Sequence, residues 1–229
     1  MSVPRFRVVA EHALLIDFAD ALSETAHAAV LRLDRALAAA PPPGFIEAVP
    51  AYVSLLVDFD PLMTDHATIA AAVRRALVQD AAPLVAGQRR EVPVCYDGDC
   101  QRDLAEVAER TGLTPEAVIA AHLAGDYKVF LYGFAPGYAY LAGVPAAIAL
   151  PRKPAPVRAV PAGSVIIAGP QCLITTLTMP TGWWIIGRTP TRVLTGRPER
   201  PFLFDVGDSV VFRRVDRPTF ERLTREART

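Results

Sequence analysis

Apolar and polar positions change their rhythm near residue 85. Before that point, residues 6–9 and 14–18 read as two short strands around a turn, and Leu22, Ala26, Val30, Leu33 and Leu37 recur at helical spacing. The second pattern predicts an amphipathic helix over about residues 21–40. Pro41, Pro42, Pro43 and Gly44 end it, because proline neither donates to a helix nor continues it. Between residues 52 and 59, Val53, Leu55, Val57 and Phe59 share one face of a half-buried strand. Ile69, Val73, Ala76 and Leu77 mark a second helix after Pro61. Residues 1–85 are therefore expected to form a small α+β domain with helices on one face of a sheet.

The second half is punctuated differently. Residues 92–96 predict a strand that turns at Asp97 and Gly98. Two short helices follow, at residues 104–110 and 114–123; Thr114 is an N-cap, Pro115 suits the first turn and Gly125 is a stop. The pair imitates a helix-turn-helix. Residues 114–125 contain no arginine or lysine and carry Glu116, which excludes a helix that reads DNA. From residue 127 to about 215 come six or so short β-branched runs. Turns at Ala142-Gly143, Pro161-Ala162-Gly163, Gly169-Pro170 and Gly207-Asp208 predict a closed or nearly closed barrel. The expected layout is a boundary within residues 81–92, a mostly β barrel domain over 90–215 that includes the two short helices, and a charged tail over 216–229.

Composition narrows the function classes. Of 229 residues, 52% are apolar and 21% charged, with a formal net charge of zero. That balance supplies no attraction for nucleic acid or anionic membrane. Met1 to Val9 lack a long apolar segment of signal-peptide type, and no run reaches the roughly 18 apolar residues of a membrane span. Cys95, Cys100 and Cys172 match neither a disulfide framework nor a zinc spacing, so three reduced thiols in a cytoplasmic protein are expected and no metal. No Walker-type loop is present, so the chain carries no nucleotide motif.

Candidate chemistry concentrates in residues 132–190, where both tryptophans and three of the six tyrosines fall. Rigid turns, aromatic faces and a few placed polar groups build either a small-molecule pocket or an ordinary barrel core. Arg152 and Arg188 each sit beside a proline-constrained turn, where a guanidinium can fork onto a carboxylate or phosphate or make a structural salt bridge. Trp183 is expected to wall the site that Arg188 anchors. Ser164 lies outside any nucleophile elbow and reads as a nucleophile or as a strand hydroxyl satisfied by backbone. His122 is expected on its helix facing the barrel entrance, as a ligand contact or a partly buried histidine bonded to backbone. No catalytic residue can be assigned.

Gly133-Phe134-Ala135-Pro136-Gly137-Tyr138-Ala139-Tyr140-Leu141, Val160-Pro161-Ala162-Gly163-Ser164-Val165 and Gly182-Trp183 through Gly187-Arg188-Thr189-Pro190 together resemble a known family. It is that of allophanate hydrolase subunit 1, which also takes in the B-type subunit of 5-oxoprolinase, the KipI-type kinase inhibitor and a carboxyltransferase domain, subdomain C/D type. The likeness runs back through residues 50–55 and 92–96 and forward to Gly207-Asp208. It implies a cyclophilin-like barrel after a small α+β domain. It also implies a non-autonomous subunit of an ATP-dependent 5-oxoprolinase, an amidohydrolase that opens a lactam to glutamate by phosphorylating the amide oxygen before water attacks. ATP would be used by the assembled complex, with a companion of the allophanate hydrolase subunit 2 type. The alternatives within the family are a regulator bound to a histidine kinase and a urea-type carboxyltransferase component. Carried over by position, the substrate-binding residues would be Phe134, Pro136, Gly137, Arg152, Gly163, Ser164, Gln171, Trp183, Arg188 and Thr189, with Pro161 matching beside them. Cys172, Leu173, Thr175 and Thr176 stand where the family usually has threonine, glycine, tyrosine and proline, Thr181 replaces a glycine, and Val157 replaces an arginine.

Overall fold

The structure, a computed structural model, describes residues 3–78 and 87–227. The chain divides into two compact units, residues 1–85 and 86–229. Of the segment expected to hold the boundary, residues 81–86 lie outside the described residues.

The first unit contains β1 (Arg5–Ala10), β2 (Ala13–Asp17), α1 (Glu24–Ala39), β3 (Phe45–Ala51), β4 (Ser54–Phe59) and α2 (His66–Val78). Its antiparallel sheet runs β1-β2-β4-β3. Register places Phe6, Ile16, Leu55 and Pro50 in one row and Arg7, Leu15, Leu56 and Val49 in the next, on opposite faces. Ile16 and Leu55 join Val30, Leu33, Leu37, Ile69 and Val73 of the helices in one core. Ser23 caps α1 by accepting the Ala26 N–H, so the helix starts three residues after the expected position and Leu22 stays exposed. β3 escaped the pattern reading. It is an edge strand with no fully buried position, and such an edge tolerates Pro50 because one row of its N–H groups faces no partner.

The second unit contains β5 (Arg89–Cys95), α3 (Leu104–Thr111), α4 (Pro115–Leu123), β6 (Tyr127–Tyr132), β7 (Ala139–Ala142), β8 (Val157–Val160), β9 (Ser164–Ala168) and β10 (Gln171–Ile174). It continues with β11 (Met179–Thr181), β12 (Trp184–Arg188), β13 (Leu194–Arg197), β14 (Arg200–Phe202), β15 (Ser209–Val215) and α5 (Arg217–Glu226). Seven strands close a barrel in the order β10-β7-β6-β15-β5-β12-β9, with β9 pairing back to β10. Every neighbour pair is antiparallel except β5 with β15. The β8–β11 and β13–β14 ribbons lie outside this ring. The chain is thus mostly β with a closed barrel and a few helices.

Inside the barrel, Val94, Val129, Leu141, Ile167, Trp184, Ile186 and Phe212 interlock. Outside it, Ile166, Leu173, Trp183 and Ile185 form a separate cluster with Tyr138 and Val160. β9 is consequently buried at every position, which is why its sequence shows an unbroken apolar run rather than alternation. Asp208 fastens the strand β15 to β5: it is buried and accepts the Gln88 N–H at 2.7 Å, the Asp205 N–H at 3.0 Å and the Arg90 Nε–H at 3.1 Å. Within the expected tail, α5 is capped by Asp216 and buries Phe220 against Cys95 and Cys100.

Candidate functional site: an arginine groove and an aromatic pocket

The histidine expected at the barrel entrance is inside. α4 carries His122 into the core, fully buried among Tyr96, Tyr127, Cys172 and Phe212. Its Nδ1 meets the Tyr96 hydroxyl at 2.7 Å and its Nε2 lies 3.7 Å from the Cys172 sulfur, so its partners are side chains and not backbone. Burial pushes the His122 pKa down to about 3 and raises those of Tyr96 and Cys172. A neutral imidazole with both nitrogens occupied and no path to solvent is a packing element. Ser164 is likewise spent: its buried hydroxyl donates to the Pro161 carbonyl at 2.8 Å.

Most of the remaining candidates separate into two cavities of the second unit. A groove of about 600 Å³ is lined by Pro161, Gly163, Thr175, Thr176, Arg188, Thr189 and Phe220, among others. Its floor is a set of locked turns. Gly163 N–H donates to Thr175 O at 2.6 Å, and Thr189 N–H donates to Gly163 O at 2.8 Å. Gly163 has φ +82°, and a Cβ there would stand 2.5 Å from the Thr189 carbonyl oxygen, so only glycine permits this approach. Thr175 Oγ1 donates to Pro161 O at 2.7 Å and accepts the Ser164 N–H at 2.9 Å. Arg188 ends β12, with its backbone set between Ser164 of β9 and Cys95 of β5 and its guanidinium 6.0 Å from the Phe220 ring centre. Thr189 Oγ1 accepts the Thr191 N–H at 3.0 Å.

The second cavity, about 140 Å³, is lined by Phe134, Tyr138, Tyr140, Arg152, Thr181 and Trp183 over a floor of Ile166 and Leu173. Trp183 therefore does not wall the Arg188 site: it precedes β12, faces the outer cluster and sits in the other cavity. Arg152 is delivered by a stapled segment. Trp184 Nε1–H donates to Pro151 O at 2.7 Å and Lys153 N–H to Gly182 O at 2.7 Å. Lys153 also ion-pairs with buried Asp103, which accepts the Ile185 N–H at 2.7 Å. The Arg152 guanidinium lies 5.7 Å from the Trp183 ring centre. Burial and then the neighbouring Tyr140 push the Tyr138 pKa up to about 12, so its hydroxyl stays neutral and donates to the Met179 thioether. Phe134 holds φ +73°, a left-handed backbone that bulky side chains rarely adopt and that costs on the order of 1–3 kcal/mol. The turn that imposes it is closed by Ala135 N–H to Gly133 O at 2.9 Å and Tyr138 N–H to Ala135 O at 3.0 Å.

Pro136 and Gly137 belong to that same turn but line neither cavity; Pro136 O accepts the Thr176 Oγ1–H at 2.7 Å, tying the turn toward the groove. Gln171 opens β10, at the end opposite Thr175, and lines neither. Neither Arg152 nor Arg188 makes a side-chain hydrogen bond or ion pair among the described residues. Phe220 was not singled out from the sequence, while Thr176 entered only as a departure from the family motif and Tyr140 only as part of one. One signal there does mark the region: residues 127–198 contain no aspartate or glutamate while carrying seven lysines and arginines. Zero net charge over the whole chain conceals that run.

Comparison with known proteins places this arrangement. The family described as Carboxyltransferase domain, subdomain C and D, matches residues 4–204. The chain belongs to that family. This carboxyltransferase-family chain is 34% identical to the B-type subunit of 5-oxoprolinase from Bacillus subtilis over 228 residues, covering 95% of each. It is 35% identical to the B-type subunit of 5-oxoprolinase from Haemophilus influenzae over 161 residues, covering 70% of this chain and 72% of that one. Among solved structures, TTHA0988 superposes with a TM-score of 0.79 at 38% identity over 90% of this chain. The matched part spans only 40% of TTHA0988. The K. lactis urea amidolyase shares the fold at a TM-score of 0.77 and 15% identity, covering 98% of this chain and 15% of that one. Among the described residues, no helix is long and apolar enough to cross a membrane, and no cluster of histidine, cysteine and carboxylate side chains could hold a metal ion.

Proposed function

We propose that this chain is the B-type subunit of a 5-oxoprolinase complex, in which the groove beside Arg188 holds the carboxylate of a small lactam. The observation that carries the reading is a guanidinium that makes no hydrogen bond or salt bridge among the described residues and meets Asp99 only through space, bordering a groove of about 600 Å³ with no carboxylate in its lining. That volume suits a small molecule, and an unspent arginine fork suits a carboxylate. The relatives that bear the name of the B-type 5-oxoprolinase subunit support the substrate class. Thr189 adds a hydroxyl to the same wall.

In this reading the chain binds and orients and does not by itself supply the energy. The groove lacks the metal partner a nucleotide brings with it: it holds two cations, Arg188 and Arg192, the latter also donating to the Ala227 carbonyl at 3.2 Å, but its lining has no carboxylate for the divalent ion. ATP is assigned to the assembled complex, through a companion subunit. The fold occurs as a segment of longer chains, 40% of TTHA0988 and 15% of the K. lactis urea amidolyase, which supports a role beside other domains. The test is ADP release driven by 5-oxoproline. The isolated chain is expected to show negligible turnover and the chain with its companion robust turnover. Robust turnover by the chain alone, or none by the assembled complex, contradicts the proposal.

A further inference from the structure

The aromatic pocket carries a different message from the groove, and it does not rest on the lactam reading. We propose that the Phe134–Arg152–Trp183 pocket is a docking socket for a partner polypeptide, taking one ring-sized apolar side chain that is followed by a carboxylate-bearing residue.

Size sets the first limit. At about 140 Å³ the pocket matches a cavity that holds a single benzene, well below the roughly 300–1,000 Å³ of ordinary ligand sites. It accepts one side chain and not a nucleotide or an extended cofactor. Its walls set the second. Tyr138 faces Phe134 with ring centres 5.7 Å apart, and Tyr140 meets Trp183 edge-on at 5.9 Å, leaving apolar faces to receive a ring or branched aliphatic group. Charge sets the third. Arg152 is exposed, rests on Trp183 and has no ion-pair partner among the described residues, while the chain around it is free of acidic residues from 127 to 198. A carboxylate beside the inserted side chain would complete that guanidinium.

Phe134 decides between a small ligand and a surface. It is 81% exposed at the rim, and its backbone is held left-handed by the turn that closes over residues 133–138, so it is presented outward and not left over from packing. A molecule small enough for the pocket leaves most of this ring in water. A partner chain covers it, and buried aromatic and arginine anchors around a small pocket are what dominate protein interfaces. Asp103, Lys153 and the Trp184 indole pin the neighbouring segment, so the socket is formed before binding and little ordering is lost on docking.

The probes are three blocked tetrapeptides titrated into the full chain: glycine–phenylalanine–glutamate–glycine, its glutamine counterpart, and its counterpart with alanine for phenylalanine. The Trp183 indole resonance reports binding. The phenylalanine–glutamate peptide is expected to shift it and to bind about tenfold more tightly than either control. Arg152→Gln should erase the preference for glutamate over glutamine, and Phe134→Ala should weaken binding of the phenylalanine–glutamate peptide, both with unchanged melting temperature. Equal binding of all three peptides, no shift at Trp183, or a Trp183 shift with a single-stranded oligonucleotide or with 5-oxoproline alone would overturn the socket.

Discussion

The barrel interior and the groove outside it use polar groups in opposite ways. In the interior His122, Tyr96 and Cys172 satisfy one another with no route to water, and beside the outer pocket Asp103 is likewise consumed by Lys153 and the Ile185 amide. In the groove Arg188 stands beside Phe220 with no hydrogen bond or salt bridge among the described residues, its charge answered only through space by Asp99. Histidine, cysteine, serine and aspartate are the residue types that suggest catalysis, yet here they are structural. The unspent groups are two arginines and an exposed phenylalanine. Availability, more than chemical type, marks the residues that can act on something else.

Substitutions of spent groups should alter stability and leave affinity alone. The largest effect is expected for Asp103→Ala, which strands the buried Lys153 ammonium and the Ile185 N–H: about 3–5 kcal/mol lost in denaturant melts. A loss below about 1 kcal/mol would show that water reaches this pair. His122 gives a pH signature. Its folded pKa lies near 3, below the ordinary value of about 6.5, so between those limits the unfolded chain binds a proton that the folded chain does not. Stability should therefore fall as pH drops through that window, by about 1.4 kcal/mol per unit from this group. His122→Phe should remove that part of the slope, measured by urea melts at pH 7.5, 6 and 5, while costing about 1–3 kcal/mol at neutral pH because the buried Tyr96 hydroxyl loses its partner. An unchanged slope would mean the imidazole is hydrated. Smallest is Ser164→Ala, which removes one hydrogen bond to Pro161 O and should cost about 1 kcal/mol with lactam binding unaltered. Lost binding in a well-folded Ser164→Ala protein would move serine into the acting set.

Much of this was legible before the structure. Thr114, Pro115 and Gly125 bracket α4 because capping is local chemistry, and the turns at Gly143, Gly163, Gly169 and Gly207 all have positive φ. What alternation could not reveal was facing. β9 and β12 are covered on both sides, so their runs carry no period of two, and nothing in Trp183-Trp184 tells which ring enters the barrel. The expectation that Trp183 and Arg188 share one site failed for that reason. His122 was misplaced because α4 is apolar nearly all round, so its spacing did not say which face turns inward. The family motifs did gather useful residues, but tertiary pairing distributes them between a groove and a pocket.

The central claim is that Arg188 is unspent because a ligand completes it. Calorimetric titration of 5-oxoproline into the assembled complex, with wild-type chain, Arg188→Lys and Arg188→Ala, tests it most directly beside thermal melts of each chain. Affinity should fall roughly ten- to a hundredfold in the alanine variant and remain impaired in the lysine variant, which keeps the charge without the planar fork, while melting temperatures stay put. Wild-type affinity in a folded Arg188→Ala complex would contradict the account.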